Sequence, residues 1–194
     1  MGVALPRRDT RQRLIDTAYA RFKRHGFHAV GVDRVIAEAE VAKMTLYRNF
    51  PSKDDLIVAV LDQRAERFRT RLERLADGAG TARERISAMF DWYEGWIGSE
   101  DFHGCIFAHA IAEFGAPDSP VHRRAAAQKV EHRSRIAAIL ATEMAADRAE
   151  RLALAILMLI EGATLLAQTE MRRGAVSIAR EAALALLAAE SGGE

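Results

Sequence analysis

Cysteine is almost missing from this sequence, with Cys105 the one example in 194 residues. A single thiol excludes an internal disulfide and fits a reducing cytoplasm. Long hydrophobic runs are missing too: the longest, Leu152 to Ile160, is nine residues and stops at Glu161. A membrane span needs roughly 20, so no membrane partner is expected. The N-terminus carries Arg7, Arg8, Arg11 and Arg13 but lacks an apolar stretch followed by a small-residue cleavage site, which argues against a signal peptide. Proline is scarce. Pro6, Pro51, Pro117 and Pro120 all fall at segment edges, and no run alternates with period two. A β architecture is thereby excluded, and an all-α fold of about nine helices is expected.

Net charge is nearly absent as well, at +1, but its distribution is uneven. Residues 1–53 hold 11 Lys/Arg against 5 Asp/Glu, whereas residues 54–194 hold 17 against 22. A basic head on an acidic body is the electrostatic footprint of a nucleic-acid-binding module joined to a part with another task. This gives two expected domains, 1–53 and 54–194, with residues 54–75 as a connecting helix.

Helical periodicity and capping signals divide the chain further. A first helix is expected from Asp9 or Thr10, with Leu14, Ile15, Ala18 and Phe22 on one face and Gly26 just past its end. Short helices follow over about Val32–Ala39 and Ala42–Asn49, and Pro51 forbids continuation. Ser52 with Asp55 resembles a capping box for a helix reaching about Leu75, and Thr81 with Glu84 repeats the pattern for one reaching about Ile97. Between them, Ala76 to Gly80 reads as a linker. A short helix over Cys105–Phe114 precedes a long one from Pro120 to about Met144, with Ser119 and Pro120 suited to its cap and first turn. Another long helix is expected from Asp147 to about Arg172, closed by Gly174, then a last one over Val176–Ala189 and a short tail, Ser191–Glu194.

Three short helices in about 45 residues, with a tight turn before the third, make a helix-turn-helix pattern, whose last helix enters the DNA major groove. Val32, Val35, Ile36, Val41, Leu46 and Phe50 can face its small core. Lys43, Met44, Thr45, Tyr47 and Arg48 then fall on the outward side of the third helix.

The stretch from Thr10 to Leu61 resembles the DNA-binding region of the TetR family. The match is carried by Ala18-x-x-x-Phe22-x-x-x-Gly26-Phe27, Thr45-Leu46-Tyr47-Arg48-Asn49-Phe50 and Pro51-Ser52-Lys53-Asp54-Asp55-Leu56. The resemblance implies a three-helix head, a connecting fourth helix, a homodimer, and a small-molecule effector bound in the helical body. It also implies phosphate contacts from Tyr47 and Lys53 and groove contacts from Lys43, Thr45 and Arg48. Arginine is the best bidentate reader of guanine, and Tyr and Lys are good phosphate donors. Met44 offers only apolar contact. The chain departs from the family pattern at three places. Val30-Gly31 replaces a hydroxyl residue, Glu40 replaces the glycine of the turn, and Ala42 replaces a serine cap. A left-handed Glu40 and an uncapped third helix each cost roughly 1 kcal/mol.

In the body, His103-Gly104-Cys105-Ile106-Phe107-Ala108 through Glu113-Phe114 resembles a segment of many family members, some of which sense electrophiles or oxidants through cysteine. Cys105 is therefore either a sensor near a helix N-terminus or an inert core thiol. Effector-pocket candidates are Trp92, Tyr93, Trp96, Cys105, Phe107, His109 and Glu113, an aromatic and apolar group with a few polar members. His103, Cys105, His109 and His122 match no compact metal-ligand spacing, and no metal or cofactor is expected. The two C-terminal helices are apolar on more than one face, which suits a four-helix bundle across a two-fold axis. The resulting expectation is a ligand-responsive DNA-binding transcriptional regulator, a repressor released from a palindromic double-stranded operator by an effector. The alternative, a small helical ligand-binding protein or enzyme with a basic N-terminal region, needs a catalytic pair or cofactor motif, and none stands out in the sequence.

Overall fold

The computed structural model describes residues 7–76, 80–172 and 174–191. Among these residues the secondary structure is nine α-helices and one 3₁₀ turn. They are α1 (Arg7–His25), α2 (Val32–Glu38), α3 (Lys43–Asn49), α4 (Lys53–Ala76), α5 (Ala82–Gly98), α6 (Ile106–Glu113), α7 (Pro120–Leu140), α8 (Ala146–Leu166), the 3₁₀ turn Glu170–Arg172, and α9 (Ala175–Ser191). Most of the expected linker Ala76–Gly80 and the tail beyond Ser191 lie outside the described residues.

The chain forms two compact units. The first joins residues 1–65 to residues 106–126, so α6 and the start of α7 belong with the helix-turn-helix. The sequence-based division at residue 53 follows the charge; the packing follows a different line. In this unit Leu14, Ile15, Ala18 and Phe22 of α1 are buried with Phe27, Val35, Leu46, Phe50 and Leu56. The Phe22 and Phe27 rings meet at 5.1 Å between centroids. Val32, Ile36 and Val41 are only half-buried at the margin of that core.

The second unit comprises residues 66–105 and 127–194. Its core is a continuous apolar cluster contributed by the end of α4 and by α5, α7, α8 and α9, including Leu72, Phe90, Ile136, Ile156, Ile160 and Ala183. Helix α9 packs on both α8 and α5. Alanine at positions 179 and 183 is what permits this close approach.

Most helix starts follow the sequence signals. Ser52 and Asp55 exchange bonds at the head of α4, with the Ser52 amide 2.9 Å from Asp55 Oδ2 and the Asp55 amide 3.1 Å from Ser52 Oγ. Thr81 and Glu84 form a full capping box on α5. Two helix ends differ. Helix α7 stops at Leu140, short of Met144, and α8 stops at Leu166, short of Arg172. The cause is the same in both. Thr142 Oγ1 donates to the Ile139 carbonyl at 2.7 Å, and Thr169 Oγ1 donates to the Leu166 carbonyl at 2.6 Å. A threonine hydroxyl that takes a nearby carbonyl competes with the helix ladder. The chain then turns through three-residue bonds, Glu143 N to Leu140 O and Thr169 N to Leu166 O.

Candidate functional site

Helix α3 is a seven-residue rod held from one side. Leu46 and, just past its end, Phe50 are buried. By helical spacing positions 44 and 48 fall on the opposite face and 47 on its flank, while position 43, three residues before Leu46, stands at the N-terminal edge of the anchored side. All four are exposed, Met44 by 75%. Thr45 is half-buried. Met44 and Tyr47 thus sit exposed between the two cations Lys43 and Arg48.

The departures noted in the sequence shape how α3 is presented. Glu40 has φ of 52°, the left-handed conformation of the turn, and the Val41 amide closes that turn onto Ile36 O at 3.2 Å. Gly31 and Ala42 occupy the cap positions of α2 and α3 without a side-chain bond. Asn49 Nδ2 donates to Thr45 O at 2.7 Å and closes the other end of α3. Around it, Glu38 binds both Arg21 and Arg34, which ties α2 to α1. The Arg21 bond leads in holding the Glu38 carboxyl below the usual range. Lys43 Nζ lies 3.3 Å from Asp33 Oδ1, both well exposed; such a pair is weak and easily exchanged for a phosphate. Lys53, in the first turn of α4, is half-buried. Burial lowers its pKa, against the opposing charges of Glu113 and Asp54.

Within the same unit, Glu113 at the end of α6 grips the turn after α1. Its two carboxylate oxygens accept from the Phe27 amide at 2.9 Å and the His28 amide at 2.7 Å. The His28 ring stacks on Phe114 at 4.8 Å. Gly26, with φ of +80°, is required twice over, because a Cβ there would also stand 2.9 Å from Glu113 Oε1. Charged acceptors of backbone amides are among the stronger hydrogen bonds. The Glu113 carboxylate, expected from the sequence in an effector pocket, is engaged in holding the head.

In the second unit, Cys105 meets a half-buried ion pair. Lys129 Nζ is 3.3 Å from Cys105 Sγ and 2.6 Å from Glu161 Oε1. Burial works against the Lys129 charge, but Cys105 and Glu161 together outweigh it and raise its pKa. Tyr93 is fully buried, and burial, reinforced by Glu161 and Cys105, pushes its hydroxyl well above the ordinary range. Tyr93 belongs to a chain of rings. Phe68, Trp92, Tyr93, Trp96 and Phe102 follow one another at centroid distances of 4.8–6.2 Å, and Trp92 and Trp96 lie nearly parallel. His132 stands edge-on to Phe68 at 5.0 Å and stacks on Tyr93 at 6.2 Å.

Of the expected pocket residues, Trp92, Tyr93, Trp96 and Cys105 thus come together in the second unit. Phe107, His109 and Glu113 belong to the first. No group of three metal-ligating side chains occurs among the described residues, and none of their helices is long and apolar enough to cross a membrane. Sequence reasoning missed Phe68, Gln128, Lys129, His132 and Glu161. A signal for two of them existed. Val121, Ala125, Gln128, His132, Ile136 and Leu140 form one buried stripe of α7, so Gln128 and His132 interrupt an apolar face at the positions that point inward.

Two family models match the chain. Residues 14–60 match the model of bacterial regulatory proteins of the tetR family, and residues 82–191 match the C-terminal domain of LmrA/YxaF-like transcriptional regulators. The HTH-type transcriptional repressor KstR of Mycolicibacterium smegmatis is 38% identical over 82 residues, 42% of this chain and 40% of that protein. The HTH-type transcriptional activator FasR of the same species is 34% identical over 97 residues, 48% and 44% of the two chains. These alignments span less than half the length of either relative. The crystal structure of SCO4454, a TetR-family transcriptional regulator from Streptomyces coelicolor, is similar throughout, with 30% identity, a TM-score of 0.87, and coverage of 95% of this chain and 97% of that one.

Proposed function

Because the chain belongs to the tetR family of bacterial transcriptional regulators, we propose that it is a cytoplasmic repressor that binds a palindromic DNA operator as a homodimer and is released by a small effector. The observation that carries this reading is the outward face of α3, where Lys43, Met44, Tyr47 and Arg48 are exposed on a helix anchored by Leu46 and Phe50. Tyr47 and Lys53 bind phosphates and fix the helix on the duplex. Lys43, Thr45 and Arg48 reach the base edges, with Arg48 suited to guanine and Met44 to a thymine methyl.

Two heads must be held at a fixed separation to read a palindrome. The dimer face is formed by α8 and α9. Leu154, Met158 and Leu165 line one stripe of α8, and Ile178 and Leu186 lie on α9, all exposed by 42% or more. Gly162 sits in that stripe with open space around its Cα, which suits close helix approach. A second copy that covers these side chains completes a four-helix bundle.

The effector binds in the second unit, against Trp92, Tyr93, Trp96 and Cys105. Its signal has a covalent route to the head. Helix α6 starts one residue after Cys105 and ends at Glu113, which grips the turn between α1 and α2. A ligand that shifts Cys105 moves an eight-residue helix whose far end holds Phe27 and His28.

A gel-shift assay of the full chain tests the proposal, with DNA flanking its own gene against random duplex of equal length. A retarded complex that survives excess random DNA is the expected result. Equal binding to both duplexes overturns it.

A further inference from the structure

Fully buried polar residues are few among the described residues: Gln128, His132 and Thr164. Thr164 is satisfied within its own helix by the Ile160 carbonyl at 2.8 Å. The other two are not. Gln128 Oε1 and both ring nitrogens of His132 are buried without a hydrogen-bond partner, although His132 is only 1% exposed. Groups left in that state lose water and gain nothing in return, which is rare in a folded protein. Three such atoms fall on one face of α7, on residues four apart.

Their surroundings are flat and apolar. Phe68 and Tyr93 pack on the His132 ring, and the ring chain continues through Trp92 to Trp96. Whereas His132 is buried, Trp92 and Trp96 are half-buried, so the row of rings runs from the orphaned atoms toward solvent. Both cations near the ring face a carboxylate, Arg135 at 3.9 Å from Glu73. Lys129 is matched by Glu161 at 2.6 Å. Burial, with the nearby charges of Lys129 and Arg135, holds His132 at a pKa of about 3, so the ring is neutral near pH 7. A neutral imidazole has one N–H donor and one acceptor nitrogen. An occupant must therefore accept one hydrogen bond from His132 and donate to its other nitrogen or to Gln128 Oε1.

We propose that Gln128 and His132 are the polar recognition pair of the effector site, and that its ligand is an uncharged, planar ring compound carrying a hydrogen-bond donor beside an acceptor, as a cyclic amide does. The rings supply the stacking surface, and the orphaned atoms supply direction. Charged analogues are disfavoured because the two groups that face the ligand, a neutral imidazole and an amide oxygen, offer no full counter-charge to offset their loss of water. This inference rests on the reading of the second unit as the sensing body.

Binding of 2-quinolone to the full chain, measured by calorimetry, tests it. The chain has two tryptophans, Trp92 and Trp96, so their indole N–H signals in NMR report the site without labelling any residue. Saturable 2-quinolone binding that shifts both signals is expected, with naphthalene, 2-naphthoate and 1-methylquinolinium at least about tenfold weaker. Gln128→Leu and His132→Phe should each weaken 2-quinolone by about tenfold and leave naphthalene unchanged. His132→Phe should at the same time melt no lower than the parent, since it removes two orphaned atoms from an aromatic setting. Naphthalene binding as tightly as 2-quinolone, full binding by both variants, or no binding of 2-quinolone at its solubility limit overturns the proposal. Release of operator DNA is measured separately. Binding of 2-quinolone without release supports the site and counts against the effector reading alone.

Discussion

The carboxylate of Glu113 and the backbone amide of His28 stand 2.7 Å apart across 85 residues of chain. The same carboxylate takes the Phe27 amide, so one side chain at the end of α6 satisfies both donors of the turn that follows α1. Replacing it with alanine should destabilise the first unit by about 1 kcal/mol, because the part-buried Phe27 amide loses its charged acceptor while the exposed His28 amide can turn to water. Hydrogen exchange at Phe27 and His28 should accelerate in Glu113→Ala. Glu113→Gln, which keeps one acceptor oxygen, should protect only one of them. Unchanged exchange at both amides would show that the grip contributes nothing.

Glu40 provides a test of opposite sign. Its φ of 52° suits glycine, and Glu40→Gly should stabilise the chain by about 0.5–1 kcal/mol after the entropy of the freer unfolded chain is subtracted. Urea denaturation gives the answer. A lower midpoint in the variant would mean that the Glu40 side chain contributes more than its backbone costs.

On the operator, Arg48 and Lys53 should separate. Arg48→Ala should cost about 1–3 kcal/mol and relax the preference at one base pair, whereas Lys53→Ala should weaken all duplexes alike and reduce the salt slope by about one. Fluorescence anisotropy at several salt concentrations distinguishes the two. An unchanged salt slope in Lys53→Ala would remove it from the phosphate contacts.

Much of this molecule was legible in advance because its signals are local. The left-handed Glu40, the uncapped Ala42, the capping boxes at Ser52 and Thr81 and the outward side of α3 all depend on residues within a few positions of one another. The ends of α7 and α8 were less so. Thr142 and Thr169 look like ordinary helix residues until their hydroxyls choose a carbonyl. The Glu113 grip and the Cys105–Lys129–Glu161 cluster join residues 24 to 86 positions apart, and no periodicity encodes them. His132 lay in between: its place in an apolar stripe was readable, its lack of partners was not.

The buried His132 also sets a pH dependence. Its folded pKa of about 3 lies below the ordinary 6.5, so the unfolded chain binds a proton that the folded chain refuses. Stability from this source is complete above pH 6.5 and falls as pH drops from there toward 3, by up to about 1.4 kcal/mol per pH unit. Between pH 6.5 and about pH 5, the parent should lose more stability than His132→Phe does. Parallel curves would mean that His132 is solvated in solution.

The exposed stripe of α8 makes the proposed dimer testable. Met158 and Leu165 are 61% and 64% exposed, and Met158→Glu with Leu165→Arg should give a folded monomer in analytical ultracentrifugation. That monomer should bind a palindrome no better than a single half-site. A double variant that still sediments as a dimer would place the interface elsewhere.

The central claim is that a pair of α3 helices reads DNA. Hydroxyl-radical footprinting of the full chain on the DNA flanking its gene addresses it most directly. Two protected half-sites related by dyad symmetry are expected, with centres about 34–36 Å or a multiple apart, and both should vanish together in Tyr47→Ala. Protection with no dyad, or a footprint that survives in Tyr47→Ala and Arg48→Ala alike, would contradict the account.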